Sequence, residues 1–153
     1  MLFNGNDTEF IASLNQTLDP KPGDVWGVTE IEFMRVVVLN VYENNIYRIM
    51  VLSNRTWFAE KHDLVYRGAS GNEYVAHTHE VAGVHKKFLM GKFGEVPADV
   101  LAELRAADAQ KLKTPVVGHY GDGVMNEFMD DYLEWSEGLR DKLRAMNFES
   151  MDM

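Results

Sequence analysis

The stretch that decides the fold is Arg35-Val36-Val37-Val38-Leu39-Asn40-Val41-Tyr42, followed by Glu43-Asn44-Asn45 and then Ile46-Tyr47-Arg48-Ile49-Met50-Val51-Leu52. The first run is nearly continuous in β-branched and apolar residues, as a strand buried on both faces requires. Glu43-Asn44-Asn45 breaks it, and asparagine tolerates positive φ, so the break reads as a hairpin turn. Working outward, Val25 to Phe33 reads as an earlier strand, and Leu64 to Tyr66 and Tyr74 to Val81 as later ones, with a turn at Gly68 to Gly71. Short strands at close intervals predict a small antiparallel barrel or a strongly curled sheet.

Helical spacing flanks this region. Phe10, Ile11, Leu14 and Leu18 predict a short helix over residues 6–19, capped by Asn6 or Asp7 and stopped by Pro20, Pro22 and Gly23. Pro97 suits a first helical turn, and Ala98, Val100, Leu101, Leu104 and Ala107 predict a helix over 97–111. Thr114 to Gly123 is a Gly-rich connector. A last helix is expected over about Val124 to Met146, with an apolar stripe of Met125, Phe128, Met129, Tyr132, Trp135, Leu139, Leu143 and Met146. The simplest reading of that stripe is packing against the sheet, with the carboxylates of the other face in water. Residues 1–113 are thus expected to form the barrel domain and residues 114–153 a connector with an acidic helical tail.

The chain has 153 residues, 46% of them hydrophobic, and carries a net charge of −9. Residues 114–153 hold nine acidic and three basic side chains, so most of the imbalance sits in the tail. That charge argues against a surface that binds nucleic acid throughout, but leaves room for a local basic groove. The sequence has no cysteine, which excludes disulfides, thiolate metal sites and a cysteine nucleophile. No run reaches the about 18 apolar residues of a membrane span, and the first ten residues lack the pattern of a signal peptide. A soluble, cytoplasmic protein is expected.

The order of features resembles the MazF/PemK/Kid family of toxin endoribonucleases. Gly23-Asp24-Val25-Trp26 opens the first strand after a Pro-containing lead-in. Arg35 begins the next, IYRIMVLSNR ends in Ser53-Asn54-Arg55, and Lys86-Lys87-Phe88-Leu89 leads to Gly94-Glu95-Val96-Pro97 before a helix. The resemblance covers about residues 22–111. It implies an SH3-like barrel, a homodimer, metal-independent cleavage of single-stranded RNA by 2′-OH attack, no cofactor, and an antitoxin-like protein partner. By matched position it implies Arg35 as the catalytic cation and Ser53 as a positioning hydroxyl, with Asp24 shaping the loop or the substrate site. It departs from the family pattern at Val36, where proline is usual, at the short connection of Thr29 to Met34, and at Ala76-His77-Thr78-His79.

Other residues carry further expectations. His77 and His79 are two apart, so on a regular strand both face one way. They can act as general acid or base in an RNase-like site, or join His85 or Glu80 around a metal. Lys86, Lys87 and Arg55 can meet RNA phosphates, and Trp57 can stack on a base. Trp26 is expected in the core. A competing class is a catalytically silent barrel that serves as a binding or regulatory module. The acidic tail helix could also lie over the groove and restrain it.

Overall fold

The computed structural model describes residues 19–29 and 31–147, with side chains from residue 34 onward in the second stretch. The helix expected over residues 6–19 falls almost wholly outside these residues.

The architecture is mainly β, as expected. Strands β1 (Asp24–Val28), β2 (Ile31–Val41), β3 (Ile46–Ser53), β4 (Leu64–Arg67), β5 (Glu73–His85), β6 (Leu89–Glu95) and β7 (His119–Tyr120) form one antiparallel sheet. Their order is β6-β1-β2-β3-β5-β4-β7. Helix α1 (Ala98–Asp108) follows β6, and helix α2 (Met129–Met146) ends the described chain. The connection after β1 is shorter than Thr29 to Met34, because Ile31 already pairs with Val28. The β2–β3 hairpin turns at Asn44 and Asn45, both with φ near +60° (62° and 61°). That pair of left-handed residues matches the right-handed twist of the flanking strands.

Alternation along β2 and β3 sends apolar side chains to both faces, which explains the unbroken VVVL run. On one face Val36, Val38, Ile49 and Val51 pack with Trp26, Leu139, Leu143 and Met146. On the other, Val37, Leu39, Met50 and Leu52 pack with Val100 and Leu104. The sheet therefore lies between α2 and α1. Arg48 fastens α1 through a paired contact, its Nε and Nη2 each 2.7 Å from the Asp108 carboxylate.

The tail helix packs its apolar stripe on the sheet, as its spacing predicts. It starts later than expected, at Met129, after a 3-10 turn over Asn126–Phe128, and leaves Met125 exposed. The glycine-rich connector is more than a link. His119 and Tyr120 pair with Val65 and Leu64 and extend the sheet. A Cβ on Gly118 would sit 2.3 Å from the Val65 carbonyl oxygen, and one on Gly121 would sit 2.4 Å from that of Glu60. These glycines are needed because backbone meets backbone there. No described helix is long and apolar enough to cross a membrane.

Candidate active site

A cleft of about 650 Å³ opens at the end of β3. Arg35, Ser53 and Asn54 border it, with Leu52, Tyr66, Tyr74 and Phe93 among its walls.

Arg35 pairs with Gly27 on one side and Leu52 on the other. Its guanidinium carbon lies 3.8 Å above the centre of the Phe93 ring, and Nη1 donates to the Met34 carbonyl at 3.1 Å. Phe93 is the extra residue of a bulge in β6, because Trp26 pairs with Lys92 while Val25 pairs with Gly94. A bulge re-aims a side chain. Here the ring lies over Gly27, within 2.8 Å of where a Cβ would stand. The sequence thus builds a three-layer stack of glycine, phenylalanine and arginine. Phe93 is half exposed, so this stack presents a fixed cation and an aromatic edge to the cleft.

Ser53 borders the same cleft, but alternation turns its hydroxyl toward the α2 face of the sheet. Its Oγ lies 2.7 Å from His77 Nε2 and accepts the Arg55 backbone N–H at 3.2 Å. His77 Nδ1 is 3.3 Å from Asp63 Oδ2. Asp63 is 2% exposed and is held by backbone donors: Glu60 N–H to Oδ2 at 3.0 Å and Thr78 N–H to Oδ1 at 3.1 Å. Gly121 N–H donates to the Asp63 carbonyl at 2.9 Å, so the β7 segment braces this loop. A carboxylate accepts only, so it selects the Nδ1–H tautomer. Nε2 is then the acceptor for the Ser53 hydroxyl proton. The line Ser53, His77, Asp63 therefore has the polarity of a hydroxyl activated by an imidazole and oriented by a carboxylate. Trp135 of α2 covers His77, ring centres 4.9 Å apart, and Phe58 packs against Trp135 at 5.3 Å.

His79 does not join His77. Val51 pairs with His77 while Met50 pairs with Val81, so Thr78, His79 and Glu80 bulge out of the ladder. Two-residue parity fails across such a break. His79 is exposed and stacks on His62, ring centres 3.6 Å apart. Glu80 is buried and accepts Arg140 Nε at 2.9 Å. His85 instead caps the 3-10 turn Lys86–Phe88 by accepting the Lys87 N–H. Among the described residues no group of three or more His, Asp or Glu is placed to hold a metal ion.

Lys86 and Lys87 lie beside the Asn44-Asn45 turn, where Lys86 N–H donates to the Asn45 carbonyl. That is the far end of β3 from Ser53, about 23 Å away at the usual rise per residue. Lys86 is also engaged by Asp19 at 3.0 Å. Asp24 is buried and structural: its Oδ2 accepts the Lys21 N–H at 2.9 Å, and Oδ1 is 3.3 Å from Lys92 Nζ. Hydrogen bonding to Glu95, then to Asp24, raises the Lys92 pKa. Arg55 sits nearer the site, its guanidinium carbon 5.8 Å from the Phe58 ring centre and 6.0 Å from that of Trp135. Trp57 is half exposed but does not border the Arg35 cleft. Trp26 is fully buried, as expected. The acidic helix crosses the sheet above His77; none of its residues borders the cleft.

Two cleft or site residues were not singled out in the sequence. Asp63 could have been found from strand register, since Leu64 opposite Ala76 sets Asp63 opposite His77. Phe93 carries no such signal, because its position depends on the bulge.

No family model matches this chain, and no curated protein matches it.

Proposed function

We propose that this protein is a metal-independent endoribonuclease of the MazF/PemK type that cleaves single-stranded RNA in the Arg35 cleft. One observation carries the reading: the Arg35 guanidinium is held over the Phe93 ring, 3.8 Å from its centre, at the edge of a cleft that Ser53 also borders. In this reading a water in the cleft takes the proton of the ribose 2′-OH, while the Ser53 hydroxyl, turned to the other face and bonded to His77, fixes the end of β3 beside Arg35. Asp63 orients the His77 ring through Nδ1. The 2′-oxygen attacks phosphorus, the 5′-oxygen leaves with the proton that the water took up, and the products are a 2′,3′-cyclic phosphate and a 5′-hydroxyl. Arg35 faces the charge that builds on the phosphoryl oxygens. Tyr74 offers a face on which a base stacks. A curled, SH3-like sheet, a homodimer, a cytoplasmic setting and an antitoxin-like partner belong to the same proposal.

The test is cleavage of mixed-sequence single-stranded RNA in excess chelator. Arg35→Ala should lower the rate at least about 100-fold, and Ser53→Ala by a smaller factor of about 10, while circular dichroism stays unchanged. Cutting by both variants at the wild-type rate would overturn the reading.

A second reading, a silent module that binds without cutting, is favoured by the burial of His77 and Asp63, each 2% exposed. In that case the hydroxyl, imidazole and carboxylate only satisfy one another under Trp135. RNA bound by the wild type and weakened by Arg35→Ala, with no cleavage, would mark it.

A further inference from the structure

We propose that the Arg35 cleft also binds a small carboxylic acid with a flat apolar body and a second, uncharged acceptor at its far end. The inference stands on the cleft itself and not on RNA cleavage. The groups that make it share the α1 face of the sheet.

Register puts them there. Leu52, Tyr66 and Val96 belong to the cluster packed with α1, and Tyr74 packs against it. Arg35 is two residues before Val37 in an unbroken stretch of pairing, so it shares that face. Its guanidinium lies over the Phe93 ring, and Nη1 donates to the Met34 carbonyl. Among the described residues no carboxylate pairs with Arg35. The other charged side chain on the walls is Glu95, and Lys92 Nζ holds it at 2.6 Å. The cleft thus offers a ligand one uncompensated cation. A planar guanidinium pairs with carboxylate or phosphate. The carboxylate carries a single charge, which one cation balances, whereas a phosphate monoester carries nearly two.

The second anchor is Tyr66. It borders the cleft, is 5% exposed, and its hydroxyl has no hydrogen-bond partner among the described residues. A buried polar group in that condition calls for an acceptor. Burial, then the charge of Tyr74, pushes the Tyr66 hydroxyl up to about 12, so it stays a neutral donor. It suits an ether or carbonyl oxygen. The rings of Tyr66 and Tyr74 lie 5.7 Å apart and are tilted by 32°. Such a pair beside Leu52 suits a flat aromatic body between the two anchors.

Spacing sets the length. Arg35 stands on β2 and Tyr66 on β4, with β3 and β5 between them. Three strand spacings make about 14 Å. One ligand meets both anchors only if its acid and its second acceptor sit at opposite ends. The cleft, about 650 Å³, has the size of a site for such a molecule.

The experiment titrates the full chain with 6-methoxy-2-naphthylacetate and follows backbone amide shifts by NMR. Binding with a Kd below about 1 mM is expected. The uncharged primary amide of the same acid should bind at least about 10-fold more weakly, and Arg35→Gln should weaken binding of the acid by the same factor. Tyr66→Phe should weaken it about 3-fold, and should leave unchanged the affinity for 2-naphthylacetate, which lacks the far oxygen. A folded wild-type protein whose shifts the acid does not move would overturn the inference, as would equal binding of acid and amide. RNA cleavage without binding of the acid removes this inference and leaves the RNA proposal standing. Binding without RNA cleavage does the reverse.

Discussion

Ser53 Oγ lies 2.7 Å from His77 Nε2, although 24 residues separate them in sequence. Antiparallel pairing of β3 with β5 brings them together: Val51 sits opposite His77 and Ser53 opposite Val75. The bulge that follows sends the Thr78 N–H to Asp63 instead of to the ladder. One irregularity in β5 thus joins three chemically linked side chains and separates His77 from His79.

That junction makes Asp63→Asn informative. The amide oxygen can keep one backbone contact, so the fold should survive. An amide facing Nδ1 can favour the other tautomer, with the proton on Nε2, and Ser53 then loses its proton acceptor. RNA cleavage should fall about 10-fold, through the position of the end of β3, with a melting temperature within several degrees of wild type. Proton NMR of the imidazole N–H resonances checks the tautomer directly. Asp63→Ala should be worse for stability, by about 2–4 kcal/mol, since it orphans buried backbone donors.

Gly27→Ala tests the arginine platform from a distance. The new methyl would meet Phe93 Cε2 at 2.8 Å, and the end of that side chain can move. The ring should shift and take its support away from Arg35. Cleavage is expected to drop about 10-fold, the scale of the cation–π contact, with little change in stability. Fluorescence titration of RNA binding and thermal melts separate the two effects.

The buried Tyr66 hydroxyl gives an alkaline signature. Its folded pKa, about 12, is above the usual tyrosine value of 10.0 because burial disfavours phenolate, with Tyr74 adding to the effect. A raised folded pKa means the stabilising contribution is complete below pH 10. It is lost as pH rises through about 12. The contribution is about 2–3 kcal/mol at most. Denaturant midpoints measured between pH 9 and pH 12 should fall less steeply in Tyr66→Phe than in the wild type.

The tail helix is part of the core. Leu139, Leu143 and Met146 complete the cluster around Trp26 and Val36. Leu143→Ala should lower stability by about 2–5 kcal/mol, read from urea unfolding. Removing residues after Lys113 would strip this face bare and is expected to unfold the protein.

Much of the fold is legible in the residues. The VVVL run announces a strand covered on both faces, the Asn44-Asn45 pair announces its turn, and the stripe from Tyr132 to Met146 announces a packed helix. The described strands run in an open order from β6 to β7, and periodicity alone does not decide between an open sheet and a barrel. The site is legible in pieces: Arg35, Ser53 and His77 were singled out, and pairing assembles Ser53 with His77. Asp63 and Phe93 escaped because one depends on long-range register and the other on a bulge. His79 was misplaced for the same reason, since a two-residue rule assumes an unbroken ladder. Lys86 and Lys87 follow one another in sequence near a plausible groove, but β3 carries that end of the sheet away from Ser53.

The central claim is that Arg35 acts on phosphate in an RNA-cleaving cleft. The most direct measurement compares wild-type protein with Arg35→Lys on end-labelled single-stranded RNA in excess chelator, with the product termini identified. Wild type should yield 2′,3′-cyclic phosphate and 5′-hydroxyl ends. Arg35→Lys should be slowed at least about 10-fold, because an ammonium lacks the planar stack on Phe93 and the paired donors. Absence of cleavage by the folded wild type, or equal rates for the two proteins, would contradict the account.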